Sequence, residues 1–307
     1  MSIARGLEAP PIADAVAVPR AASSDSPFVQ GLRRLRHSTT AVIGLVIVAL
    51  LVVVAIFADV LAPGSPTDAD QTATFATPGR AHLLGTDQMG RDMLSRIIHG
   101  TRVSLAIGVA SVIFALVLGV PIGLIGGYFG GRIDMVLMRV MDLILSFPIY
   151  LLAIILMVIF TPTAGVIGTM KVVGAIAIVR IPIYARLVRG SVLSIKEKEY
   201  IEACRALGQS TTIILSKHVL PNCLAPIIVT TTLGIATSII VEASLSFLGL
   251  GTQPPTPSWG WDLKANVAFI QANPWLSLFP GLAIFVTVLG FNLFGDGLRD
   301  ALDPRLK

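Results

Sequence analysis

From Val103 to Gly131 the chain carries no charged side chain, and this run restricts the fold more than any other feature. A helix of that length, at 1.5 Å per residue, exceeds the roughly 30 Å hydrocarbon core of a bilayer. In lipid the backbone has to satisfy its own hydrogen bonds, so the run predicts a membrane helix. The composition agrees. The chain is 54% hydrophobic and only 13% charged, with a mean hydropathy of +0.82, whereas a soluble domain has roughly a quarter charged residues.

Five further apolar runs complete an all-α, six-span membrane protein. Ala41–Ala58, extended to Val60, ends at Asp59, Pro63, Gly64 and Pro66. The 103–131 run ends at a glycine-rich turn over Gly126–Gly131. Met135–Phe160 follows, with Pro148 expected to kink it, and 161–169 reads as a turn. Met170–Arg189 is the most interrupted span, with Lys171, Arg180 and Pro182 inside it. Leu220–Leu248 is broken only by Glu242, and Trp275–Leu293 is the last. Between the last two spans, Gly249–Asn273 is a polar loop whose Trp259 and Trp261 look like interface residues.

Residues 1–38 are rich in Ala, Pro and Ser and end in Arg33, Arg34 and Arg36. They read as a disordered cytoplasmic tail rather than a secretory signal, because the apolar run comes late and no small-residue cleavage site follows. The chain then divides into this tail, a 39–100 unit holding the first span and an outer segment, and a 101–307 five-helix core.

Six spans put both termini on one side. Residues 1–40, 128–142, 180–217 and 296–307 hold seventeen of the 23 Lys and Arg, which assigns those segments to the cytoplasm. The net charge of +5 is spread along membrane-flanking segments, so it points to lipid and away from nucleic acid. Cys204 and Cys223 both flank a cytoplasmic loop and read as reduced thiols. The four histidines are scattered, which argues against a metal site, and no catalytic or phosphate-binding motif occurs. Work against a gradient must therefore draw on another chain or on an ion gradient.

One long polar stretch interrupts the apolar pattern at Glu199–Asn222. Residues 200–207 are good helix formers, and Gly208 suits the C-cap. Glu202, Ala203, Cys204, Gly208, Leu220 and Pro221 resemble the EAA loop of bacterial ABC importer permeases, with departures at Cys204 and His218. Gly85, Thr86, Asp87, Gly90, Arg91 and Asp92 resemble the G-T-D-x-x-G-R-D signature of the C-type permease of dipeptide and oligopeptide importers. Ser244–Gly251, Gln253–Gly260 and the tail Leu298-Arg299-Asp300 with Leu302-Asp303-Pro304-Arg305 resemble the same subfamily.

The resemblance covers residues from about 35 to 307 and implies the type I importer permease fold. It implies an inner-membrane heteromer: a second homologous permease, two ATP-binding cassette subunits that hold ATP and Mg, and an extracytoplasmic substrate-binding protein. This chain would itself be non-catalytic, with no cofactor. Glu202 would meet a basic residue or amide of the ATPase, and Ala203, Cys204 and Gly208 would form the close-packing face.

Met93, Leu94, Ile97 and Ile98 alternate with Arg91, Arg96 and Arg102 as in an amphipathic helix on the outer membrane surface, either a docking surface for the binding protein or purely structural. Asp87 would cap that helix and Arg91 would pair with Asp92. Glu242 and Arg180 are pathway candidates, since ionisable groups in a membrane are costly. The competing readings are interhelical bonding or snorkelling for Glu242 and reaching the cytoplasmic interface for Arg180. Asp142 is expected to pair with Arg139. The cargo would be a short peptide, with nickel, haem or another solute as alternatives. Paired inverted repeats, which a stand-alone secondary transporter would need, are not evident, and an intramembrane enzyme would require a catalytic constellation.

Overall fold

The computed structural model describes residues 35–36 and 38–302. Residues 1–34 and 37 of the proposed tail, with Arg33 and Arg34, and the Asp303-Pro304-Arg305 motif lie outside them.

All regular structure among the described residues is helical. The elements are α1 (Thr39–Ile56), α2 (Ala58–Leu61), α3 (Met93–Phe129), α4 (Gly131–Leu145) and α5 (Ile149–Phe160). They continue with α6 (Gly165–Lys196), α7 (Glu199–Ala206), α8 (Thr211–Phe247), α9 (Trp259–Asn266) and α10 (Trp275–Leu302). Helix α8 opens through a π-helical turn at Ile214–Val219. Among the described residues, five helices are long and apolar enough to cross a membrane, or six if α4 and α5 count as one span.

That pair changes the expected third span. Its halves meet at 89°, so the kink expected at Pro148 is a near right-angle break. Pro148 has no N–H to give and sits in extended backbone at the start of α5, so the helix restarts there in a new direction. The interrupted fourth span is, by contrast, a continuous helix of 32 residues that begins at Gly165, inside the segment expected to be a turn. Pro182 lies within it without ending it.

The surface helix expected near 82–105 is not a separate element either. Met93–Leu105 is the first part of α3, and Met93 and Arg96 are buried. A boundary at residue 100 therefore falls inside one continuous helix. The last span is also longer than its apolar run, because the polar residues to Leu302 continue α10.

Helix α3 packs principally on α6, and α1 on α10, with α8 between the two pairs. Gly119, Gly123 and Gly127 recur every four residues along the α3–α6 contact. A Cβ at Gly119 would lie 2.8 Å from the Ile181 carbonyl, and one at Gly127 would lie 2.8 Å from Val192 Cβ. In lipid no hydrophobic effect drives helices together, so close backbone approach over small residues supplies the attraction as dispersion. The buried apolar clusters run along α3, α6 and α8, and Trp259 joins one with Phe291 and Ile239.

Candidate functional site

The Glu199–Asn222 segment folds at one end of the bundle, where α6 stops and α8 begins. Ile201 is fully buried among Val188, Val192, Ile195, Ile214 and Val219, and this single anchor holds α7 across the two helix ends. Glu199 and Glu202 occupy its first turn, where the macrodipole favours acids. At the other end the Gly208 amide bonds the Arg205 carbonyl at 2.9 Å and the Gln209 amide bonds that of Cys204 at 3.1 Å. Gly208 has φ +73°, the left-handed conformation that closes this turn at no cost to glycine alone. A Cβ there would meet nothing in the chain.

Glu202, Ala203, Leu207, Gly208 and Pro221 face outward, and Leu207 is 81% exposed. Cys204 differs from its expected place, because it turns halfway into the apolar cluster, as Leu220 does. Arg205 packs against α3: its guanidinium lies 5.3 Å from the centre of the Tyr128 ring. His218 shares a 3.1 Å hydrogen bond with Gln209, which closes the loop behind α7.

The opposite end of the bundle is a dense polar network. Residues Gly85, Thr86, Asp87, Gly90 and Arg91 are buried, so they build their segment from within. Asp87 accepts from the Met89 amide at 2.8 Å and the Arg91 amide at 3.0 Å, and Arg91 Nε donates to it at 2.7 Å. The expected cap and pair are therefore exchanged. Asp92, not Asp87, caps α3 by accepting from the Ser95 amide at 2.8 Å, and Arg91 pairs with Asp87 while Asp92 takes His82. Gly90 lies so close to the Asp70 backbone that any Cβ would collide with it. Thr72 bonds hold the Asp70 carboxyl below its ordinary range, and Arg102 does the same for Asp59.

Deeper in, Arg96 joins segments 166 residues apart: Nε donates to Asp262 Oδ1 at 2.8 Å and Nη2 at 2.5 Å. Trp259 is buried rather than interfacial. Its Nε1 donates to the Ile97 carbonyl at 3.1 Å, and its ring covers Gly100. Glu242 is wholly buried and collects four hydroxyls: Ser246 at 2.8 Å, Ser258 at 2.9 Å, Thr252 at 3.3 Å and Ser104 at 3.4 Å. Its carboxylate thus ties α8 to α3 and to the cap of α9. Sequence reading missed the Arg96–Asp262 pair, which leaves no local trace. It also missed the Gly119/Gly123/Gly127 stripe, whose four-residue spacing was there to be read.

Arg180 does not reach toward an interface. It is 8% exposed, and from α6 it donates to Ser238 Oγ at 2.7 Å, Thr237 Oγ1 at 2.6 Å and the Gly234 carbonyl at 2.5 Å on α8. Asp142 pairs with Arg186, not Arg139, because α4 lies against α6 there. Among the described residues no group of three or more His, Cys, Asp or Glu is arranged to hold a metal ion.

These geometries meet known proteins at several points. Residues 119–307 match the family of binding-protein-dependent transport system inner membrane components, and residues 26–78 match the N-terminal membrane domain of oligopeptide transport permease C. The dipeptide transport system permease protein DppC of Alkalihalophilus pseudofirmus is 45% identical over 92% of this chain and 91% of its own length. The glutathione transport system permease protein GsiD of Pectobacterium atrosepticum is 44% identical over 92% of each. The di/tripeptide permease DppC of Pseudomonas aeruginosa is 42% identical over 92% of this chain. Among solved structures, the MetNI methionine ABC transporter in inward facing conformations shares the fold at a TM-score of 0.57 and 19% identity, covering 69% of this chain and 98% of its own. A multi-pass, all-helical architecture, the two family matches and full-length likeness at this identity carry one conclusion: the chain belongs to the binding-protein-dependent ABC importer permeases of the inner membrane, as a non-catalytic C-type subunit of their dipeptide and oligopeptide branch.

Proposed function

We propose that this subunit forms half of an ATP-driven import pathway for short peptides, and that α7 is the element through which a cytoplasmic ATPase moves it. The observation that carries the reading is the build of α7. One buried residue, Ile201, fixes it to the ends of α6 and α8, while Glu202, Ala203, Leu207 and Gly208 stand free. A helix seated so shallowly has its outer face available to a groove in another protein. Because α6 and α8 meet at α7, a displacement of their shared end is passed to both helices.

In this reading ATP binding closes a pair of ATPase subunits, α7 follows, and the permease rocks against a second, homologous permease. The pathway then opens beneath a loaded extracytoplasmic binding protein, and hydrolysis resets it. The excess of Lys and Arg on the α7 side supports cytoplasmic termini. Leu83 and Met89, exposed beside the buried Gly85–Asp92 signature, offer the opposite end a contact for the binding protein. Peptide as cargo rests on the relatives named for dipeptide, di/tripeptide and glutathione transport.

The test is import of a radiolabelled dipeptide by the assembled complex in vesicles, together with ATP hydrolysis stimulated by the loaded binding protein. Gly208→Arg and Glu202→Lys are expected to insert and assemble but to lose stimulation and import. Normal transport by both variants would remove α7 as the coupler. ATP-independent uptake by this chain alone would remove the importer reading.

A further inference from the structure

A charge in the middle of the bundle has no counter-charge. Arg180 lies on α6 within the membrane-spanning region, and no carboxylate among the described residues lies within salt-bridge distance of it. Its three hydrogen bonds go to neutral acceptors on α8 and use only Nε and Nη2. Nη1 donates to nothing among the described residues. The guanidinium lines a cavity of about 250 Å³ walled by Ile149, Ile176, Ile183 and Val241, with Tyr150 and Thr237 as the other side chains that carry a hydroxyl. Ile149 and Tyr150 are 44% and 47% exposed, so the cavity lies where the broken α4–α5 pair meets the outer surface of the subunit.

A tie between α6 and α8 needs donors but does not need charge, and an ionised group kept within a membrane-spanning segment marks function by default. The cavity is smaller than the roughly 300–1,000 Å³ of sites that enclose a whole small ligand, so it fits one end of a longer one. Walls that are mostly apolar, with two hydroxyls and one fixed cation, select an anion whose attached chain is apolar or neutral. A carboxylate meets that description, and its charge-assisted bonds to an arginine are strongest where water is scarce.

We propose that Arg180 and this cavity form a transient subsite for the C-terminal carboxylate of the transported peptide, rinsed free as α6 and α8 move. The bonds to Ser238 and Thr237 hold the guanidinium plane in place, and Nη1 meets the ligand. This inference rests on the import reading above and adds to it the ligand group and the residue that receives it.

The test uses the assembled complex in detergent, without its binding protein, and a radiolabelled dipeptide that the same complex imports when the binding protein is present. Saturable binding is expected, with the C-terminally amidated dipeptide competing at least about tenfold less well. Arg180→Gln is expected to weaken binding about ten- to a hundredfold, the usual cost of a hydrogen bond to a charged group, and to erase the preference for the free acid. Arg180→Lys should restore part of both. Should Arg180→Gln fail to assemble, Ile183→Trp fills the cavity with the arginine in place and is expected to abolish binding. Equal competition by acid and amide, unaltered binding in Arg180→Gln or Ile183→Trp, or no saturable binding to the wild-type complex would each overturn the subsite. Those results leave import intact, whereas a complex that imports no peptide at all removes the broader reading instead.

Discussion

The two ends of this bundle are both polar, yet they spend their polar groups in opposite ways. At the Arg96–Asp262 end, Arg96, Glu242, Ser258 and Trp259 are buried and bonded to other segments of the same chain. At the Glu199–Asn222 end, Glu199 and Glu202 face outward, and Ile201 is the one fully buried side chain of the helix. The first arrangement is a lock that fixes α3, α8 and α9 to one another. The second is a surface with unspent bonding capacity, the form expected of a contact with another protein. Polarity in a membrane protein therefore indicates function only after its internal partners are counted.

Substitutions at the two ends should separate in kind as well as in size. The largest expected effect is at the locked end. Arg96→Ala strands Asp262 without its partner, and breaking a buried pair this way costs about 3–5 kcal/mol. Thermal unfolding of the purified chain should show a large fall in Tm, and an unchanged Tm would mean the network is not a lock. Glu242→Ala leaves buried hydroxyls without their shared acceptor, at about 1–3 kcal/mol for a group left unsatisfied. Glu242→Gln should recover much of that loss, since an amide oxygen can still accept; equal loss in both would point to the charge instead.

At the other end, Gly208→Ala forces a Cβ into left-handed backbone at about 1–2 kcal/mol, but nothing in the chain obstructs that Cβ. The same unfolding assay should register only a small shift. A smaller change still is expected of Asp142→Asn, because its pair with Arg186 is about half exposed and such pairs contribute about 0–1 kcal/mol. Last comes a pH effect. Arg102 lowers the Asp59 pKa from 3.8, so their tie is present above the ordinary carboxylate range and is lost as pH falls through the lowered value. Hydrogen exchange at Ala58–Leu61 should quicken there; protection that holds through acid would mean the pair does not fix α2.

Much of the helical layout was legible because its signal is local. Charge-free runs located α1, α3 and α10, a run broken only by Glu242 located α8, and Gly208 after a row of helix formers located the end of α7. The misreadings share a cause. Arg180 looked like an interruption of α6 because hydropathy counts a charge without knowing its acceptors, and Ser238, Thr237 and Gly234 lie more than fifty residues away. Trp259 looked interfacial because tryptophan often is, yet Gly100 opens a seat for its ring on α3. Asp87 and Asp92 are five residues apart and both suit a cap, so only the turn geometry chooses between them.

By itself the sequence determined that the chain is a bundle of membrane helices, which family it resembles, and where a polar helix interrupts the pattern. Those properties follow from the cost of exposing peptide groups and charges to lipid, a cost that each segment meets alone. The tertiary structure decided which charges are already answered, Glu242 by four hydroxyls and Asp262 by Arg96, and which stand open, Arg180 at its cavity and Glu202 on α7. That decision belongs to packing, because a hydrogen bond forms between groups that are neighbours in space, and chain order does not record those neighbours.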